Sequence, residues 1–169
     1  ARGPTYDAPV TAISPHPVSA RRAVPASIVR PVYVDRPAPE RYTGSHVQSP
    51  ETIAAMREAG RIAHHAMLEA SRLVAPGVTT DELDALGHEF LVAHDAYPSA
   101  LGYRGYPKSI CTSVNECICH GIPDDTVLRE GDIVKIDRTA FKDGMHGDLC
   151  AAFPVGAVSD EAAALVDRT

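Results

Sequence analysis

The sequence predicts an α+β domain, and three observations predict it. Two helical segments with N-terminal caps come first, and short segments with turn signals follow. An alternating run from Gly131 to Phe141 then reaches Asp143-Gly144, a strong hairpin signal. The 169 residues are 44% hydrophobic and 22% charged with a net charge of -6, which bounds the chain to one globular domain or one domain plus a tail. No run of about 18 apolar residues occurs, so no membrane-spanning helix is expected. Four cysteines are too few for a disulfide-stapled miniprotein, and the hydrophobic content is too high for wholesale disorder. With six Tyr, three Phe and no Trp, aliphatic side chains have to build most of the core.

Charge and proline divide the chain unevenly. Residues 1–50 hold nine of the fourteen prolines and carry six Arg against three acidic residues, a local charge of +3, so the remainder carries -9. Without a sustained apolar period, and with proline too frequent for a helix, residues 1–48 read as an extended basic arm, disordered or laid along the surface. No two prolines are three apart, so the PxxP signal for SH3-type partners is missing. Arg21-Arg22 is not followed by an apolar stretch, because Pro25, Arg30 and Pro31 interrupt it, and so it is not an export signal. A basic arm on an acidic body can touch nucleic acid, although a plain linker explains it as well.

The ordered part is expected over residues 49–169. Ser49-Pro50-Glu51 reads as N-cap, proline at the first helical position and acidic first turn. Ile53, Met56, Gly60, Ala63, Met67 and Ala70 then share one helical face, with the two methionines as core filler and His64-His65 as a solvated or half-buried pair. Pro76-Gly77 ends this helix, with the chain turning by about Val74. Thr79 and Glu82 form a capping box for a second helix with Leu83, Leu86 and Phe90 as its buried stripe. Ser109 to Val114 and Cys117 to Cys119 read as strands joined at Asn115-Glu116. Met145 to Phe153 is the return strand of the hairpin, and Ser159-Asp160-Glu161 caps a third helix.

The hairpin carries the sharpest chemical signal. Asp137 and Asp148 lie eleven residues apart on its opposite arms. With Lys142-Asp143 as the loop Asp137 faces Asp148 directly; with Asp143-Gly144 it faces Cys150, and Asp148 is diagonal. Both carboxylates share one face in either case, with Cβ atoms roughly 4.5–8 Å apart. Like charges this close repel unless a cation bridges them or one takes a proton. Two metal ions about 3.5–4 Å apart suit such a pair, but two ordinary strand aspartates near a turn fit the spacing too. Arg138 shares its strand face with Val134, Ile136 and Ala140, a face that should be buried. Lys135 shares the face of the aspartates and is positioned to neutralise them. Cys111, Cys117, Cys119 and His120 lack zinc-ligand spacing and read as buried free thiols beside one functional or capping histidine. His146 shares the face of Asp148, with a hydrogen-bonding role the safer reading.

The run Gly102-Tyr103-Arg104-Gly105-Tyr106-Pro107-Lys108-Ser109-Ile110-Cys111-Thr112-Ser113-Val114-Asn115-Glu116 continues to Cys119-His120-Gly121-Ile122-Pro123-Asp124. Together with Gly131-Asp132-Ile133-Val134, Ile136-Asp137 and His146-Gly147-Asp148, it closely resembles the type I methionine aminopeptidases over Pro50 to Thr169. The proline-rich arm is similar to that of the N-terminally extended bacterial members. The resemblance implies the first half of the pita-bread fold and hydrolytic removal of the initiator methionine from nascent peptides. It implies two divalent metal ions, with cobalt, iron, manganese, nickel and zinc all used in the family. It makes Asp137 and Asp148 metal ligands, and His120 the catalytic histidine near the scissile amide. It implies that Tyr103, Tyr106 and Cys111 line the pocket for the methionine side chain. A His and two Glu that complete the family's ligand set are not in this chain. The alternative is therefore a truncated non-catalytic member, inert or a binding module. A cytoplasmic location, no membrane or DNA partner, and a candidate ribosome contact through the basic arm complete the expectation.

Overall fold

A computed structural model describes residues 16–36 and 41–168, and the expected arm falls outside them at 1–15 and 37–40. Helix α1, Pro50–Leu73, starts where Ser49 Oγ accepts from the Thr52 amide and stops at Val74, whose backbone is extended. Its buried face is built from Ala59, Ile62, Ala63, Ala66, Met67 and Ala70, whose four alanines let the helix lie close to the sheet. The expected stripe needs correction at its start, because Ile53 and Met56 are 38% and 44% exposed. The fully buried residues of the helix begin at Ala59. His64 and His65 are exposed, one ring edge-on to the other.

Helix α2, Thr80–Ala93, carries the expected capping box between Thr79 and Glu82. Leu83, Gly87 and Leu91 are its fully buried apolar line, while Leu86 and Phe90 are only half-buried. A short strand β1, Tyr97–Pro98, follows, and then strand β2, Cys111–Val114. The expected strand at Cys117–Cys119 is absent, and of the thiols expected to be buried here only Cys111 is, with Cys117 half-buried and Cys119 exposed in the loop. Asn115 and His120 both adopt left-handed backbone, at φ 47° and 55°, and the chain coils into a tight loop between them. The β2 segment pairs with the hairpin instead.

That hairpin is strand β3, Ile133–Lys142, and strand β4, Met145–Pro154. Asp143 and Gly144 form its two-residue loop at φ 50° and 81°, the positive values that a twist-matched hairpin turn needs. All pairings are antiparallel: β4 lies along one edge of β3, and β1 and β2 lie end to end along the other. Alternation then sorts β3 side chains to two faces. Val134, Ile136, Arg138 and Ala140 are buried beneath the helices, while Lys135, Asp137 and Thr139 are half-buried on the opposite face.

Residues 16–36 are laid along this body. Val24 and Ile28, 8% and 5% exposed, complete an apolar cluster with Tyr97, Leu101 and Phe141. Arg22 reaches Asp81 Oδ2 at 2.9 Å and Asp84 Oδ2 at 3.2 Å, and the His88 ring meets the Ala23 carbonyl at 2.9 Å. Helix α3, Asp160–Val166, is capped by Ser159 and buries no residue. No helix among the described residues is long and apolar enough to cross a membrane.

Candidate metal centre and side-chain pocket

The loop at Asp143-Gly144 settles the hairpin register: Asp137 is opposite Cys150, and Asp148 is opposite Thr139. The two carboxylates are diagonal neighbours on the face turned away from the helices. Thr139 Oγ1 donates to Asp148 Oδ1 at 2.7 Å and fixes that side chain. Burial raises the pKa of Asp137, Asp148 repels its charge further, and His120 offsets part of the rise. Lys135 does not neutralise the pair. Its Nζ turns to the end of β2 and donates to the Asn115 carbonyl at 3.4 Å.

A cleft of about 700 Å³ opens over these carboxylates, within the ~300–1,000 Å³ range of small-ligand sites. Asp137, Asp148, His120, Tyr103, Tyr106 and Cys111 all line it. Cys111 is directly opposite Asp137 in the β2–β3 pairing, so the thiol and the carboxylate share one row of the sheet. Burial pushes the Cys111 thiol up to about 11, which keeps it neutral and makes it an apolar wall. Tyr106 Oη donates to the carbonyls of Ile110 at 3.2 Å and Gly121 at 2.9 Å, and burial raises its pKa as well.

These bonds also place His120. A Cβ on Gly121 would lie 2.1 Å from the Thr112 carbonyl oxygen, so only glycine lets the loop close onto β2 here. The Thr112 amide donates to the Gly121 carbonyl at 3.0 Å across that approach, and His120 is left exposed at the mouth of the cleft. Tyr103 opens a single turn of 3-10 helix, Tyr103–Gly105, with left-handed backbone at Gly102 before it and at Arg104 and Gly105 within it.

Tyr33, Ser99 and Thr139 line the cleft as well, although no role was read for them from the sequence. Thr139 was legible in principle, since the register that pairs it with Asp148 follows from the loop. His146 carries the hydrogen bond expected of it, from Nδ1 to Ser99 Oγ at 2.9 Å. Tyr33 had no signal, because the arm has no period from which to read a facing residue.

The carboxylates suit hard divalent cations, which take oxygen donors. Two carboxylates are fewer donors than two ions require, at about four or more each. No third His, Cys or acidic side chain is grouped closely with them among the described residues.

The model of metallopeptidase family M24 matches residues 54–169. The chain belongs to this family. An M24 metallopeptidase implies divalent metal cofactors, in keeping with the paired carboxylates. The chain is 59% identical over 159 residues to methionine aminopeptidase 2 of Mycobacterium tuberculosis, covering 94% of this chain and 56% of that protein. It is 49% identical to the chloroplastic/mitochondrial methionine aminopeptidase 1D of Arabidopsis thaliana, covering 93% of this chain and 45% of that one. The solved methionine aminopeptidase of Rickettsia prowazekii superposes with a TM-score of 0.70 at 41% identity, over 72% of this chain and 49% of that one. The α+β architecture is thus that of the pita-bread proteins, and the chain spans about half the length of the relatives it matches.

Proposed function

We propose that this chain forms the methionine-binding part of a methionine aminopeptidase and supplies two of its metal ligands. The whole protein would remove the initiator methionine from nascent peptides. The observation that carries the reading is one of placement: Asp137 and Asp148 open into the same cleft as Tyr103, Tyr106, Cys111 and His120. Each group has a role its environment supports. Asp137 and Asp148 hold the ions, with Thr139 orienting Asp148 through its hydrogen bond. When bound, the ions supply an activated water and stabilise negative charge developing at the scissile carbonyl. His120 presents its ring from the mouth of the cleft and donates a hydrogen bond beside that carbonyl. The neutral Cys111 and Tyr106, with Tyr103 nearer solvent, receive the methionine side chain. Cobalt, iron, manganese, nickel and zinc are the candidate ions, and further donors must join the two aspartates to complete the centre.

A second reading, a member of the family that binds without catalysis, is favoured by Arg138. Its three guanidinium nitrogens are buried without a hydrogen-bond partner among the described residues, one position along β3 from Asp137 and on the strand's opposite face. A cytoplasmic location fits the four free thiols. A ribosome contact through the arm rests on its charge, and predicts salt-dependent binding that is lost on deleting residues 1–46.

Titration calorimetry with manganese or cobalt, run beside Asp137→Asn, tests the site. Binding of a divalent ion, weak with only two carboxylates as ligands, that the substitution abolishes is the expected result. Binding no stronger in the native chain than in Asp137→Asn overturns the metal assignment. A bound ion without release of methionine from a Met-Ala peptide selects the second reading.

A further inference from the structure

The cleft has one wall that the M24-matched residues do not supply. Tyr33 lies outside that match, which begins at residue 54, yet it lines the cleft beside Tyr103 and His146. We propose that Tyr33 is a specificity-determining residue, a ring carried by the N-terminal arm that narrows the side-chain pocket and favours a slim, unbranched apolar side chain over a bulky one. This rests on the reading of the cleft as a methionine pocket.

Three contacts hold the ring. Its edge meets the Tyr103 ring at a centroid distance of 5.2 Å and 88°. Its face stacks on His146 at 6.0 Å and 20°. Its hydroxyl donates to the Ser99 carbonyl at 2.8 Å. Ser99 joins these contacts into one unit, since its own hydroxyl bonds His146 Nδ1. The ring is therefore held to the pocket by aromatic contact and by a hydrogen bond, and aromatic pairs of this kind add to simple burial.

The backbone behind it is equally fixed. Residues 31–36 form a tight turn closed by the Val34 amide on the Pro31 carbonyl at 3.1 Å and the Arg36 amide on the Tyr33 carbonyl at 2.9 Å. Asp35, at φ 63°, closes the turn and accepts from Arg21 at 2.9 Å. Arg21 also reaches the buried Tyr97 hydroxyl at 3.3 Å, and Ile28 seats the preceding segment in the apolar cluster. A side chain held at this many points acts as a wall and not as a mobile cover.

The test is ligand binding to the full chain, free of metal, read by NMR with L-methionine amide and L-phenylalanine amide. The native chain is expected to prefer the methionine amide and to show an NOE from the Tyr33 ring to its S-methyl group. Tyr33→Ala is expected to lower the methionine-to-phenylalanine affinity ratio at least tenfold. Tyr33→Phe, which keeps the ring, should leave the ratio within twofold. Should Tyr33→Ala fail to give a cooperative thermal transition, Tyr33→Leu replaces it, with a fall of at least threefold expected. A merely structural role would weaken both ligands alike, so an unchanged ratio in the folded variant overturns the proposal. A native chain without any preference for the methionine amide overturns the pocket reading itself, and that outcome is visible before any variant is made.

Discussion

Arg138 is the residue whose environment is most at odds with its chemistry. It is 1% exposed on the face of β3 that packs beneath the helices, and its Nε, Nη1 and Nη2 find no partner among the described residues. Burial lowers its pKa to about 10, against a modest pull from Asp84, so the side chain stays charged at neutral pH. Gly87 of α2 makes room for it, because a Cβ there would stand 3.0 Å from Nη2. A buried charge without hydrogen bonds costs more than an apolar side chain of similar volume. Arg138→Met should therefore raise stability by about 1–4 kcal/mol, measured as a shift of the urea midpoint at unchanged slope. Gly147 works in the opposite direction. A Cβ on it would lie 2.2 Å from the Gly60 amide nitrogen and 2.3 Å from the Ala59 carbonyl carbon. Gly147→Ala must push β4 off α1, at a cost on the order of 3 kcal/mol or more, and should show as a large fall in Tm or loss of soluble protein.

At the level of elements, the arm and α2 are joined by acid groups that respond to pH together. Asp81 accepts from Arg22, Ser19 and Lys108, and Asp124 accepts from the His16 amide, Thr126 and Thr80. Burial pushes both pKa values up, but these bonds outweigh it and hold both below the ordinary 3.8. A carboxyl with a depressed folded pKa contributes stability that is present above its unfolded value and lost as pH falls through the folded one. Residues 16–36 should therefore detach first on acidification below about pH 4, which hydrogen exchange on that segment would detect before the sheet opens. Arg22→Ala removes the bridge from the arm to Asp81 and the buried Asp84 at neutral pH. It should cost about 1–3 kcal/mol and expose residues 16–36 to protease. Helix α3 is the other weak element. It buries no residue, so its amides should exchange fastest of the three helices.

On the scale of the molecule, the arm is part of the core it lies on. Val24 and Ile28 close over Tyr97, Leu101 and Phe141, and Phe141 belongs to the central strand of the sheet. Deleting residues 16–36 would uncover that cluster and remove Tyr33 from the cleft. The expected outcome is association of the truncated chain at micromolar concentration, visible by light scattering, together with a lower Tm. The same arrangement divides the sheet by task. One face of β3 is buried under α1 and α2, while the other presents Asp137 to the cleft.

Sequence alone determined the local features, because local features are written in neighbouring residues. Ser49, Thr79 with Glu82, and Ser159 start their helices where the side-chain caps predict, and Asp143-Gly144 turns the hairpin. The shared face of Asp137 and Asp148 followed from strand alternation and needed no tertiary information. What lay outside the reach of period and spacing was decided by contacts between distant segments. The buried stripe of α1 begins at Ala59 because Gly147, far along the chain, lets β4 approach there. Cys117–Cys119 is a loop and not a strand because β2 finds its partner in β3, and the left-handed Asn115 and His120 turn the chain away from that ladder. Tyr33 reaches the cleft only because an aperiodic arm is pinned by Arg21, Arg22 and Ile28 to surfaces that exist once the body has folded. Caps, turns and alternation act over a few residues and are legible one segment at a time. The depth of a stripe, the partner of a strand and the course of an arm depend on which surfaces meet, and only the assembled fold sets those.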